Sequence, residues 1–216
     1  MTTLFLIRHG ETEWNSNGRW QGHTDVPLTE RGREQARKLA QRLVEDQAHF
    51  DYIYASDLGR AFETAEIVAK PFGLPVKALP ELREIDIGSW SGLTRAEIIE
   101  RYPGAFSAFF HAHDGETWEA FGVRAGNALQ RLVRHHPGEA LALVTHGGTI
   151  RAMLHTVYTL QGHPDQEIPH IGNASLTELQ LQNGRWHVRR FNDITHLEGA
   201  QAPDMLAPPT EGDLDE

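Results

Sequence analysis

Four clusters of polar residues each follow closely on a short, largely apolar run. Arg8-His9-Gly10 comes after LFLI, and Thr145-His146-Gly147-Gly148 after ALALV. Ser56-Asp57-Leu58-Gly59-Arg60 comes shortly after DYIY, and Arg83-Glu84-Ile85-Asp86 after LPEL. Guanidinium forks match the oxygens of a phosphate or carboxylate bidentately. A glycine next to a histidine lets backbone N–H groups approach an anion closely. Taken singly, each cluster has an ordinary explanation: a His-Gly pair caps or packs a strand end, Arg60 lies on a helix surface, and Glu84 is a solvated carboxylate. Taken together, with ligands of open α/β sheets binding beyond the carboxyl ends of the strands, they point to a site for a phosphate or carboxylate anion.

The elements that must position these residues are short strands alternating with longer helical patterns. Leu4–Ile7, 51–54 and 140–144 read as strands, as does the short LPEL segment. Thr29 opens a helix that carries Ala36, Leu39, Ala40 and Leu43 on one face. Ser56 is positioned to cap a second helix over 57–71, with Ala61, Ala65 and Val68 inward. A third helix spans 117–135 with Phe121, Ala125, Ala128, Leu129 and Leu132 as its apolar stripe, and a fourth spans 149–157. Helix N-termini after Ser56 and Gly148 would favour an anion. Near the C-terminus ASLTELQL and RWHVRRF alternate in period 2 around Gln182-Asn183-Gly184, a hairpin signal. The expected fold is α/β: a three-layer α/β/α sandwich whose mostly parallel sheet has an antiparallel element at one edge. Residues 93–116 interrupt the alternation as a helical insertion, aromatic enough to fold over a site or simply to pack.

Composition limits the alternatives. A chain of 216 residues suits one domain with a sizeable core, expected over 1–198. It has no cysteine, which removes disulfides, thiolate metal sites and cysteine nucleophiles. No apolar run approaches the roughly 18 residues of a membrane span, and MTTLFLIRHG has neither a basic segment nor a cleavage site, so a cytoplasmic location is expected. The net charge is −10, half of it on 199–216, an acidic, proline-rich tail expected to be disordered. Neither part resembles a nucleic-acid surface. An anionic partner must therefore be drawn in by local arginines.

The stretch LIRHGETEWN closely resembles the signature of the histidine phosphatase superfamily, the phosphoglycerate-mutase-like proteins. The resemblance continues through SDLGRAFETA (56–65), LREIDIGSWSG (82–92) and VTHGGTIR (144–151), covering roughly 3–192 in order. It implies that His9 is a nucleophile that becomes a phosphohistidine, which suits neutral imidazole near pH 7. It further implies that Arg8, Arg60 and a protonated His146 surround the phosphoryl oxygens, and that Glu84 is the general acid, its pKa raised beside Ile85, Ile87 and Trp90. Asn15, Gln21, Gly22 and Gly147 fall at positions that touch phosphate or substrate, while Thr12 and Thr145 are weaker candidates that serve the loop backbone. No metal and no other cofactor is implied, and the expected partner is a small phosphorylated metabolite, with a homodimer possible.

Within that resemblance, water as acceptor gives a phosphatase and a second hydroxyl gives a mutase. Mutases of the family carry more basic residues in a longer insertion; here only Arg95 and Arg101 precede Arg124. They also usually have Asn after the second His-Gly, where this chain has Gly148. Both departures favour hydrolysis. A catalytically dead phosphate-binding scaffold would be expected to lack one of His9, Glu84, Arg8, Arg60 or His146. A metal-dependent alternative rests on His111-Ala112-His113-Asp114, which resembles an H-x-H-D ligand cluster, though companion ligand motifs are not evident. His135-His136 before Pro137 reads as a helix C-terminus. Selectivity is expected from 93–116 and from His170 to Asn173.

Overall fold

The computed structural model describes residues 1–105 and 112–197. In chain order the elements are β1 (Thr2–Arg8), α1 (Glu13–Ser16), α2 (Glu30–Glu45), β2 (Tyr52–Ala55), α3 (Gly59–Ala69) and β3 (Val76–Ala78). There follow α4 (Arg95–Arg101), α5 (Trp118–His135), β4 (Ala140–Thr145), α6 (Gly147–Leu160), β5 (Leu176–Gln182) and β6 (Arg185–Asp193). The six strands form one sheet in the order β3-β2-β4-β1-β5-β6. β3, β2, β4 and β1 run parallel, whereas β5 pairs antiparallel with β1 and β6 with β5. The mixed α/β sandwich expected from the alternating pattern is therefore present, its antiparallel hairpin at one edge.

The continuous apolar runs of β1 and β4 are explained by burial on both faces of the sheet. With period 2, Leu4, Leu6, Leu141 and Leu143 pack against α5 and α6, meeting Ala125, Leu129, Leu132, Met153 and Leu154. Phe5, Ile7, Ala142 and Val144 point the other way onto α2 and α3, meeting Leu39, Leu43, Ala65 and Val68. Burying each such side chain fully contributes about 1.5–3 kcal/mol, so slipping a strand by one residue would forfeit both cores at once.

Several expected boundaries moved, for identifiable reasons. LPEL is not a strand: β3 lies just before it, and Pro80–Leu82 is a 3₁₀ turn, consistent with Pro80 having no N–H to give a ladder. α3 starts at Gly59, not Asp57, and its N-cap Leu58 makes no side-chain cap bond. Gly59 N–H instead donates to Asp25 Oδ1 at 2.8 Å. α6 begins at Gly147, two residues earlier than the pattern suggests, and runs to Leu160. The caps Thr29 and Thr117 are as expected, each accepting a backbone N–H three residues on. Asn183 and Gly184 take φ of 50° and 75°, the left-handed pair that a two-residue hairpin turn requires.

Within 93–116 the described helix is α4, closed by a capping box between Thr94 and Glu97. Its Ile98 joins Ile85, Ile87, Trp90, Leu93, Ala112 and Phe121 in a satellite core. His111 and the acidic tail lie outside the described residues. Among the described residues no helix is long and apolar enough to cross a membrane.

The last described turn, Thr195–Leu197, sits against α2. Burial pushes His196 from the usual 6.5 to about 4, with Arg42 adding to the effect and Asp193 opposing it. The unfolded chain then binds a proton between those values that the folded chain refuses, so stability is complete above about pH 6.5 and declines as the pH falls toward 4. Urea midpoints measured from pH 7.5 to 4 should fall over that window, and the fall should be shallower in His196→Gln. An identical slope in the variant would remove His196 as a source.

Candidate active site

Parallel pairing of β1 with β4 aligns Ile7 with Val144 and Arg8 with Thr145. The next residues on each strand, His9 and His146, are thereby set side by side at the carboxyl edge. Their rings are 5.2 Å apart between centroids, edge to face, and both are buried. His9 Nδ1 lies 2.7 Å from Gly10 O. A carbonyl only accepts, so Nδ1 carries the proton of the neutral ring and Nε2 keeps its lone pair. The loop after His9 is held on every side. Gly10 N–H donates to Thr64 Oγ1 at 3.1 Å, and Glu11 N–H to Gln35 Oε1 at 2.8 Å. A Cβ on Gly10 would collide with the carbonyl of Gly32, and one on Gly32 with the carbonyl of Glu11. The N-terminus of α2 thus packs backbone against backbone on this loop.

Arg8 Nη1 donates to Ile171 O at 2.5 Å and lies 3.3 Å from His170 Nε2. Arg60 is 1% exposed and is gripped by two carbonyls of the 22–24 loop, Nη1 to Thr24 O and Nη2 to Gly22 O, both at 2.8 Å. Its Nε has no partner among the described residues. Burial, with nearby Arg8, lowers its pKa to about 10 against the opposing pull of Glu84 and Asp25. Fixed guanidinium groups at this depth favour an anion strongly, because solvent screens them little.

His146 departs from the sequence-based expectation of a protonated ring. Complete burial, then Arg60, His9 and Arg8, push its pKa well below the usual value, so the ring is neutral. Its Nε2 lies 2.9 Å from Ser56 Oγ, and its Nδ1 has no partner among the described residues. Ser56 Oγ also accepts from Leu58 N–H at 3.3 Å. Ser56 is therefore committed to the imidazole and the turn, not to capping α3.

Glu84 is anchored through both carboxyl oxygens: Oε1 accepts Ile85 N–H and Oε2 accepts Gly148 N–H, each at 2.9 Å. A Cβ on residue 148 would overlap that carboxyl group, which is why a glycine stands there. The segment carrying Glu84 is pinned by Arg124 from α5. Its guanidinium donates to the carbonyls of Glu81, Arg83 and Glu84 at 3.0, 2.9 and 3.0 Å and pairs with the Glu116 carboxylate. His23 Nε2 adds a bond to Glu84 O at 2.8 Å. Thr145 Oγ1 donates to Leu82 O at 2.5 Å, so Thr145 serves the backbone as expected.

The remaining predicted residues gather at the same edge with different tasks. Asn15 Oδ1 accepts from Thr12 N–H, Thr12 Oγ1 and Asn173 Nδ2, which ties the loop and fixes the amide's orientation. Asn173 Nδ2 also donates to His9 O at 3.1 Å. Gln21 Oε1 is buried without a partner among the described residues, and Gly22 adopts a φ of 50° while its carbonyl holds Arg60. Gly147 opens α6 against Arg8. Of the H-x-H-D cluster His111 lies outside the described residues; His113 is exposed, and Asp114 Oδ1 accepts from the N–H and Oγ of Ser89. No group of three or more potential metal ligands occurs among the described residues. His136 caps α5 and bonds Tyr54 and Glu139, as a helix-terminal histidine should.

Sequence reasoning missed Arg124, His23, Gln35 and the roles of Ser56 and Asn173. For Arg124 the only signal is an arginine on the polar side of an amphipathic helix, which reads as surface.

The arrangement predicts tight binding of a tetrahedral oxyanion. Calorimetric titration with inorganic phosphate should show binding to the wild type. Arg60→Met should weaken it about tenfold or more, the worth of one charge-assisted hydrogen bond. Equal affinities would show that Arg60 does not face the anion.

The family pattern of the histidine phosphatase superfamily, branch 1, matches residues 4–194. The chain is 37% identical over 204 residues to phosphoglycerate mutase-like protein 4 of Arabidopsis thaliana, covering 90% of this chain and 86% of that protein. It is 35% identical over 205 residues to the metal-independent phosphoserine phosphatase of the same plant, covering 91% and 84%. Among solved structures, Bacillus stearothermophilus YhfR superposes with a TM-score of 0.81 at 35% identity, over 91% of this chain and all of that one. The chain therefore belongs to branch 1 of the histidine phosphatase superfamily.

Proposed function

We propose that this protein hydrolyses small phosphomonoesters through a phosphohistidine on His9, without a metal ion. One observation carries the reading. His9 is a buried imidazole with Nδ1 committed to Gly10 O, and around it stand Arg60 and His146, each with a buried nitrogen that has no partner among the described residues. Phosphoryl transfer asks little of a protein beyond such positioning and charge neutralisation. The relative named a metal-independent phosphoserine phosphatase supports hydrolysis without metal.

In the first step the lone pair of His9 Nε2 attacks phosphorus and the P–O ester bond breaks. Glu84, protonated, gives its proton to the departing oxygen. Arg8 and Arg60 face the phosphoryl oxygens, and neutral His146 donates from Nδ1 while its Nε2 accepts from Ser56 Oγ. In the second step the Glu84 carboxylate takes a proton from water. The water oxygen attacks phosphorus and the P–N bond breaks, returning the electron pair to Nε2. Asn15, Gln21 and Gly147 line the phosphoryl group, and Gly22 acts through Arg60.

Water is favoured over a second phosphorylated substrate because the nearby cation is already spent. Arg124, the arginine that follows Arg95 and Arg101, is committed to Glu116 and three carbonyls. A mutase site would need such a group for the second phosphate.

Incubation with ³²P-labelled substrate in excess EDTA, quenched in alkali, should leave alkali-stable, acid-labile label on the wild type and none on His9→Ala. Label persisting in the variant, or absent from the wild type, would overturn the assignment. Glu84→Gln should slow alkyl phosphates about 10²-fold or more and p-nitrophenyl phosphate much less, because nitrophenolate leaves without a proton. Equal losses on both substrates would remove Glu84 as the acid.

A further inference from the structure

Glu84 stands on a stretch of chain that belongs to no strand. β3 ends at Ala78, one 3₁₀ turn covers Pro80–Leu82 and another covers Gly88–Trp90. Without a ladder, the carbonyls of this stretch need other donors, because a buried carbonyl left unmet is costly. Four consecutive ones find them on side chains from elsewhere in the fold. Glu81 O accepts from Arg124, Leu82 O from Thr145, Arg83 O from Arg124 and Thr149, and Glu84 O from Arg124 and His23. Arg124 is common to three of the four.

Its guanidinium has no donor to spare. Nε and Nη2 grip the two oxygens of Glu116 at 2.9 and 2.7 Å, a bidentate fork that fixes the plane of the group. The remaining hydrogen of Nη2 and both of Nη1 reach the three carbonyls, so all five N–H donors are in use. Glu116 is tied in turn to the chain just beyond Glu84. Its N–H donates to Asp86 O at 2.7 Å, and its Oε2 accepts Asp86 N–H at 3.4 Å. One ion pair therefore holds the backbone on both sides of Glu84. Arg131, further along α5, also reaches this stretch, pairing with the Glu81 carboxylate at 2.8 Å. That pair is more exposed and grips only a side chain.

We infer that Arg124 is a positioning residue for proton donation: it sets where Glu84 stands relative to the departing oxygen. This rests on the phosphatase reading above, with Glu84 as the general acid, and deepens it. The Glu84 carboxyl group hangs between two supports, Ile85 N–H on its own stretch and Gly148 N–H at the start of α6. If the stretch shifts against α6, the two bonds cannot both be kept and the acid leaves its line. A misplacement of about 1 Å can cost about 10²-fold in rate. None of the five hydrogen bonds of Arg124 goes to Arg8, His9, Arg60 or His146. Attack on phosphorus is then spared, and the cost falls on substrates whose alcohol needs a proton.

The test is the dependence of kcat/KM on the leaving group, over a series of aryl and alkyl phosphates of rising alcohol pKa. kcat/KM runs only as far as the first P–O cleavage, and every substrate gives the same phosphoenzyme, so the slope reports proton donation. An inactive fraction lowers all rates alike and leaves the slope unmoved, so a merely structural loss would not change it. The wild type should show a shallow slope and Glu84→Gln a steep one. Arg124→Met should steepen it toward Glu84→Gln, the ratio of alkyl to p-nitrophenyl phosphate falling about tenfold or more. Arg124→Lys should recover little, because a point charge cannot serve a carboxylate and three carbonyls at once. It decides the matter alone if Arg124→Met does not fold. Arg131→Met is the control and should keep the wild-type slope. Added to Glu84→Gln, Arg124→Met should steepen the slope no further, since the group it positions is already gone. A wild-type slope in the Arg124 variants, an equal steepening in Arg131→Met, or a further steepening in the double variant would overturn the proposal. A wild-type slope in Glu84→Gln, or no phosphohistidine label on the wild type, would instead overturn the reading on which it rests.

Discussion

The parallel pairing of β1 with β4 is the constraint on which the rest depends. Register in a sheet buried on both faces is set by alternating side chains, and a slip of one residue would turn Leu4, Leu6, Leu141 and Leu143 onto the wrong core. That same register brings His9 and His146 together. A requirement of packing and a requirement of chemistry are therefore met by one set of hydrogen bonds. The sheet register sets the spacing of the two imidazoles, and Gly10 O and Ser56 Oγ then fix the orientation of each ring.

Around that pair the protein places cations where solvent cannot reach them. Desolvation lowers the Arg60 pKa to about 10, a cost that folding elsewhere must offset. What it obtains is a fixed field that needs no reorganisation when a phosphoryl group arrives. His146 is kept neutral first by its complete burial and then by the repulsion of Arg60, His9 and Arg8, and a neutral donor adds nothing to that repulsion. Glu84 is fixed differently, by backbone N–H groups at its oxygens and by Arg124 and His23 on its carbonyl.

Much of this was legible in the chain. LFLI and ALALV announce buried strands, Thr29 and Thr117 announce helix starts, and the polar residues just past each run announce a site. What was not legible depended on distance or depth. Ser56 carries a helix-capping signature, yet its partner is an imidazole 90 positions away. Arg124 looks like a surface residue because nothing local reveals the carbonyls of 81, 83 and 84 beneath it. A count of charges suggested a protonated His146, whereas burial, which the sequence does not display, decides the opposite. The start of α6 was hidden because Gly147 and Gly148 are poor helix formers, and at 148 a Cβ would overlap the Glu84 carboxyl group.

The N-terminal strand has a consequence for how the molecule comes into being. β1 is flanked by β4 and β5, and both neighbours lie late in the chain. Arg8 finds its carbonyl partner at Ile171, and the carbonyl of His9 meets the amide of Asn173. On the ribosome, LFLI must wait without either neighbour until β4, about 130 residues further on, has been made, at about 5–20 residues per second. For that interval, on the order of ten seconds, the nascent chain holds a hydrophobic strand with no neighbour to cover it. The residues that will form the reaction centre exist, but none of the geometry does. Activity in this fold is among the last properties that synthesis delivers.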